Sequence, residues 1–112
     1  MHQAPGLSTQ VFCLIYVPID DAEKLKQAIF QAGGGRIGEY QGCAWQVAGE
    51  GQFIPSQQAN PTIGQVGQNT KVSELCIHCV CSQDKLAAII QAIKDAHPYE
   101  IPAYVCLPCL NV

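Results

Sequence analysis

The order of hydrophobic patterns along the chain predicts an α+β fold, running strand, helix, strand, strand, helix, strand. Three observations carry this. Val11-Phe12-Cys13-Leu14-Ile15-Tyr16-Val17 is a continuous apolar, β-prone run closed by Pro18, the pattern of a central strand. Two later stretches repeat apolar residues at helical spacing, Ala22, Leu25, Ile29, Ala32 and Leu86, Ile89, Ile90, Ile93. Glycine and proline punctuate the chain between them. Two strand–helix–strand halves make a split βαβ, the ferredoxin-like (βαββαβ) sandwich of one antiparallel sheet with both helices on one face.

The elements follow in order. Asp20, with Glu23 three residues on, predicts a capping box opening the first helix. Gly33-Gly34-Gly35 stops it, since glycine adopts the left-handed cap conformation at little cost. Residues 43–47 predict a second strand. Gly49-Glu50-Gly51 predicts a tight turn, with Gln52-Phe53-Ile54 starting the return and Trp45 and Phe53 packing across the hairpin or at a subunit contact. Residues 55–68 are polar, nearly uncharged and rich in proline and glycine, an arm longer than packing requires. Residues 72–81 form the longest strand candidate, Ser82 caps the second helix, and Pro98 ends it because the residue before a proline disfavours helical geometry. Residues 103–107 give the last strand. The whole, residues 1–112, reads as one domain with a flexible N-terminus over 1–9.

Composition narrows the function classes. Apolar residues make up 48% and charged residues 13%, which is a globular and not a disordered balance. The net charge is −3 and the six basic residues are scattered, so no nucleic-acid partner is expected. No apolar run is long enough to span a bilayer, and the first residues carry no export signal, so no membrane partner and a cytoplasmic location are expected. Seven cysteines, an odd number without a secretory context, argue for buried thiols over a disulfide framework. The apolar strands also leave one sheet face to be covered, which predicts a homo-oligomer.

A resemblance adds to this. The run from Gly34 to Trp45, then Gly49-Glu50-Gly51-Gln52-Phe53-Ile54-Pro55, Ala59-Asn60-Pro61-Thr62-Ile63-Gly64, Gly67, Glu74, and His97-Pro98-Tyr99-Glu100 with Pro102-Ala103-Tyr104, resembles the inserted middle domain of the YqfO proteins of the NGG-one-interacting factor three (Nif-three) family. The tail is also similar to the CutA proteins, which share the His-Pro-Tyr-Glu element. Ile101, Cys76 and Val105 depart from the YqfO pattern, which more often has an acid, a basic residue and Asp there. The resemblance implies a stand-alone CutA-like, PII-like domain, trimeric and regulatory in role. It implies no hydrolase-like activity, because the family's dinuclear metal site belongs to flanking domains outside the matched segment.

Candidate chemistry is sparse. His97 reads first as a helix C-terminal group, its ring donor meeting a free carbonyl. If a pocket forms there, His97, Tyr99, Glu100 and Tyr104 are its polar lining, and Arg36 and Tyr40 from the glycine-rich segment are further ligand candidates; the PII-like reading adds Lys71 and the 55–68 arm. Cys76-Ile77-His78-Cys79 has a chelating spacing only on paper, since a strand points Cys76 and Cys79 to opposite faces. Cys106 and Cys109, with a turn between them and His97 nearby, are the candidate ligands for copper or zinc, soft metals that suit thiolates and imidazole. The glycine runs fit neither the P-loop nor the Rossmann template, and no Ser, His and Asp set forms a nucleophilic constellation. The expected function is a non-enzymatic homotrimeric module that binds a small ligand or a protein partner in inter-subunit clefts; the alternative is a soft-metal binder of CutA type.

Overall fold

The computed structural model describes residues 6–111. It contains strand β1 (Gly6–Pro18), helix α1 (Ala22–Gln31), strands β2 (Trp45–Phe53) and β3 (Thr70–Ser82), helix α2 (Leu86–Ala96) and strand β4 (Ala103–Asn111). The sheet order is β2-β3-β1-β4 with every neighbouring pair antiparallel, the ferredoxin-like arrangement. Each half therefore leaves its two strands parallel, with a strand of the other half between them.

The strand period of two sorts the side chains. Val11, Cys13, Ile15 and Val17 of β1 and Ile77, Cys79 and Cys81 of β3 face inward. They pack beneath Ala22, Leu25 and Ile29 of α1 and Ile89 and Ile93 of α2, and these residues are the buried core. Both helices thus lie on one face. The alternate residues of the same strands form the opposite face: Phe12, Leu14 and Tyr16, Cys76 and His78, Trp45 and Val47, Val105 and Leu107. No other element covers it among the described residues, and Trp45 (68%), Val47 (48%), Val105 (45%) and Leu107 (46%) remain exposed. These exposed apolar side chains lie together on one face of the sheet.

The 32–44 connection is anchored at Gly35. Its N–H donates to the Val80 carbonyl (2.9 Å) and its carbonyl accepts from the Cys43 N–H (2.8 Å). Gly35 has φ +76°, and a Cβ there would stand 2.9 Å from both the Cys43 carbonyl oxygen and the Phe30 ring. Left-handed strain of roughly 1–2 kcal/mol and overpacking of roughly 1–3 kcal/mol then act together. Gly35→Ala is expected to lower the urea midpoint by an amount equivalent to about 2–4 kcal/mol. An unchanged midpoint would show that the connection relaxes freely.

Several local expectations are corrected. Gly49-Glu50-Gly51 is not a turn: β2 runs straight through it, with Gly49 opposite Glu74 and Gly51 opposite Val72. The long neighbour β3 supplies an unbroken ladder, and that outweighs the weak strand propensity of glycine. Trp45 and Phe53 accordingly sit at the two ends of one strand instead of across a hairpin. Asp20 and Ser82 make no capping hydrogen bond to the backbone, because a single 3-10 turn (Ile19–Asp21, Gln83–Lys85) precedes each helix. The Ser82 hydroxyl donates to the Asp84 carboxylate instead. No turn separates Cys106 from Cys109, since β4 continues through both. Of the N-terminal segment expected to be flexible, residues 1–5 lie outside the described residues and residues 6–9 lie in β1.

Candidate functional site: a pocket at the edge of the open sheet face

The arm after β2 folds back over one end of the sheet. The Gly67 N–H donates to the Pro55 carbonyl (2.8 Å) and closes the arm on itself. Two further bonds tie it to the turn between α2 and β4. The Thr62 hydroxyl donates to the Pro98 carbonyl (2.9 Å), and the Asn60 N–H donates to Glu100 Oε1 (3.2 Å). Between arm, turn and sheet lies a hollow of about 320 Å³. Tyr16, Phe53, Glu74 and Ala103 form its floor, all from the outer-face phase of their strands. Pro55, Ala59, Pro61 and Ile63 of the arm and Tyr99, Glu100 and Ile101 of the turn form its walls.

His97 builds the turn from beneath. It closes α2, its N–H donating to the Ile93 carbonyl (2.9 Å), and its side chain is only 6% exposed. Nδ1 accepts from the Tyr99 N–H (3.1 Å), so Nε2 carries the proton and donates it to the Tyr16 carbonyl (2.7 Å). Both ring nitrogens are engaged in holding the turn to β1. The imidazole also packs against Tyr99, ring centroids 4.9 Å apart, and Tyr99 in turn faces Phe53 at 6.1 Å.

The pocket is electronegative. No Lys, Arg or His lines it, whereas Glu74 and Glu100 do. Glu74 is half-buried, and a Cβ on Gly51 would collide with its carboxylate, so the glycine of β2 makes the room in which this acid lies. The Tyr99 hydroxyl is buried with no hydrogen-bond partner. Burial first, then the charge of Glu74 and hydrogen bonding toward it, and last the charge of Asp21, push its phenol up to about 12, so Tyr99 stays protonated at neutral pH.

The sequence-predicted ligand residues divide. Tyr99 and Glu100 line the pocket together, and His97 stands behind them. Tyr104 pairs in register with Ile15 and packs against the helix-side core, on the other face of the sheet. Arg36 and Tyr40 lie on the 32–44 connection, which meets β3 at Val80, the opposite end of that strand from Glu74. Arg36 borders a separate hollow there with Lys85. The pocket residues that sequence reasoning did not single out as ligand candidates include Tyr16, Phe53 and Glu74. The signal for Glu74 was its outer-face phase in β3 beside two glycines of β2, visible only once the register is known.

The candidate metal residues do not converge in one chain. His97 reaches Tyr16 on β1, whereas Cys106 pairs with Cys13, three residues earlier on that strand. The inner face gathers cysteines instead: Cys79, Cys13 and Cys106 lie in a row across β3, β1 and β4, and Cys13 Sγ is 4.0 Å from Cys81 Sγ. Hydrogen bonding with Cys79 and then burial push the Cys13 thiol up; burial foremost raises Cys81 to about 12 and Cys106 to about 11. Neutral, buried thiols behave as small hydrophobes. Among the described residues, no three His, Cys, Asp or Glu side chains are grouped to hold a metal ion. No helix among them is long and apolar enough to cross a membrane.

A four-stranded sheet with helices on one face, an open apolar second face and a pocket at its border defines a small α+β module of CutA-like fold. The chain is similar in sequence to one segment of longer proteins named GTP cyclohydrolase 1 type 2 homolog. It is 41% identical over 104 residues, 93% of its length, to the GTP cyclohydrolase 1 type 2 homolog of Mycobacterium tuberculosis, and 39% identical over 94 residues to that of Bacillus subtilis. It spans about a quarter of the length of these curated relatives, 27% and 25% respectively. Among solved structures, the Bacillus cereus protein related to NIF3 superposes with a TM-score of 0.79 at 30% identity, over 96% of this chain and 29% of that one. CutA1 from Shewanella superposes with a TM-score of 0.70 at 18% identity, over 96% of this chain and 87% of that one, a likeness of fold alone. No family model matches the chain.

Proposed function

We propose that this chain is a non-enzymatic, homotrimeric module with a regulatory role in the cytoplasm, which binds a small ligand in a cleft beside the face where its copies pack. The observation that carries the reading is the continuity of the pocket with the uncovered apolar face, since Tyr16 and Glu74 belong to both. A copy packed on that face would wall the pocket and remove it further from water. The pocket itself has the character of a binding site, apolar and aromatic walls with a few polar groups. Its residues form no acid–base–nucleophile set, which supports binding over turnover.

Assembly linked to folding makes thermal stability depend on protein concentration. The Tm is expected to rise steadily as concentration is raised a hundredfold. A Tm independent of concentration would contradict the oligomeric module.

A further inference from the structure

We propose that the pocket selects a small organic cation, an ammonium group on an apolar body, with the Glu74 carboxylate as its anchor. The inference rests on the ligand-binding reading above and names the ligand class of that site. Three observations converge. The first is charge: Glu74 and Glu100 line the hollow, Asp21 bears on its Tyr99, and no basic side chain lines it. The chain's two ion pairs among the described residues, Lys26–Glu23 and Lys71–Glu50, leave Glu74 and Glu100 without a cationic partner. Glu100 accepts the Asn60 N–H, whereas Glu74 sits half-buried over Gly51 without a counter-charge. A half-buried carboxylate without a counter-charge is costly even beside a phenol, and an entering cation relieves that cost.

The second observation is the ring set. Tyr16, Phe53 and Tyr99 stand around the same space as Glu74. Aromatic faces beside a carboxylate form the combination that attracts ammonium ions, through the ring quadrupole as well as the full charge. The third is exclusion. A nucleotide or another phosphate would meet two carboxylates and no Lys or Arg, which disfavours an anion in this hollow. The apolar walls, Pro55, Pro61, Ile63 and Ile101, leave room for a hydrocarbon or aromatic body behind the ammonium. Gly51 is part of the specificity, because any larger residue there would displace the anchoring carboxylate.

The test uses three probes of one shape on the isotope-labelled chain: phenethylammonium, 2-phenylethanol and phenylacetate. Binding is read by NMR shifts of the Gly51, Glu74 and Tyr99 amides. Phenethylammonium is expected to bind at least tenfold more tightly than the alcohol, and phenylacetate more weakly than either. Glu74→Gln is expected to reduce the ammonium's affinity to that of the alcohol while leaving the alcohol's unchanged, and Gly51→Ala to act in the same direction by moving the carboxylate. Equal or tighter binding of the alcohol or phenylacetate at these amides would overturn the cation class while the ligand-binding reading stands. No shift at these amides with any probe, in a protein that is trimeric, would overturn both.

Discussion

His97→Ala is expected to cost the fold on the order of 3 kcal/mol, the largest loss of any single substitution in the pocket's framework. The imidazole is buried and makes two backbone hydrogen bonds that no neighbour can replace, one to the Tyr16 carbonyl and one from the Tyr99 N–H. Its removal breaks two part-buried hydrogen bonds, each worth up to about 1–3 kcal/mol, and opens a void where the ring packs against Tyr99. The loss reaches the site because Tyr99 and Glu100 follow directly in the chain. His97→Gln is expected to fall between, since its amide donates to Tyr16 but does not place an acceptor where Nδ1 stands. Urea unfolding at fixed protein concentration reads the effect as a lowered midpoint with an unchanged slope. A midpoint equal to that of the unsubstituted chain would contradict the bracing role.

The same residue illustrates what was legible in the sequence. His97 at a helix end before proline was readable as a structural group that satisfies a carbonyl. Which carbonyl was not, because Tyr16 is 81 residues away and only the register of β1 brings it there. The strand order and both helical stripes followed from periodicity, since burial on one side imposes it. Gly49-Glu50-Gly51 carries local turn chemistry, which only the partner strand β3 overrides. The residues between Cys106 and Cys109 likewise suggest a turn locally: Leu107 and Pro108 carry no sign that β4 pairs with β1 as far as Asn111. Glu74, the centre of the pocket's charge, stood in plain view but had meaning only beside Gly51 and Tyr16. Pairwise geometry across strands is what a single sequence conceals.

Leu107→Asp is expected to dissociate the assembly without unfolding the subunit. Leu107 lies opposite Phe12 on the outer face and is 46% exposed in the isolated chain, so an aspartate there remains hydrated in a monomer. Packed copies would trap that carboxylate among Phe12, Val105 and their counterparts. An unpaired buried charge costs several kcal/mol, and three symmetry-related ones in a closed ring compound the effect. A folded, monomeric variant is the expected product, with the far-ultraviolet circular dichroism of the parent.

Native mass spectrometry of the untagged chain, purified without chelator and run beside Leu107→Asp, tests the central claim most directly. The account predicts a metal-free trimer for the parent and a monomer for the variant. A monomeric parent would contradict it, and a parent trimer that holds one copper or zinc per subunit and loses it on Cys109→Ser would replace it with the soft-metal alternative.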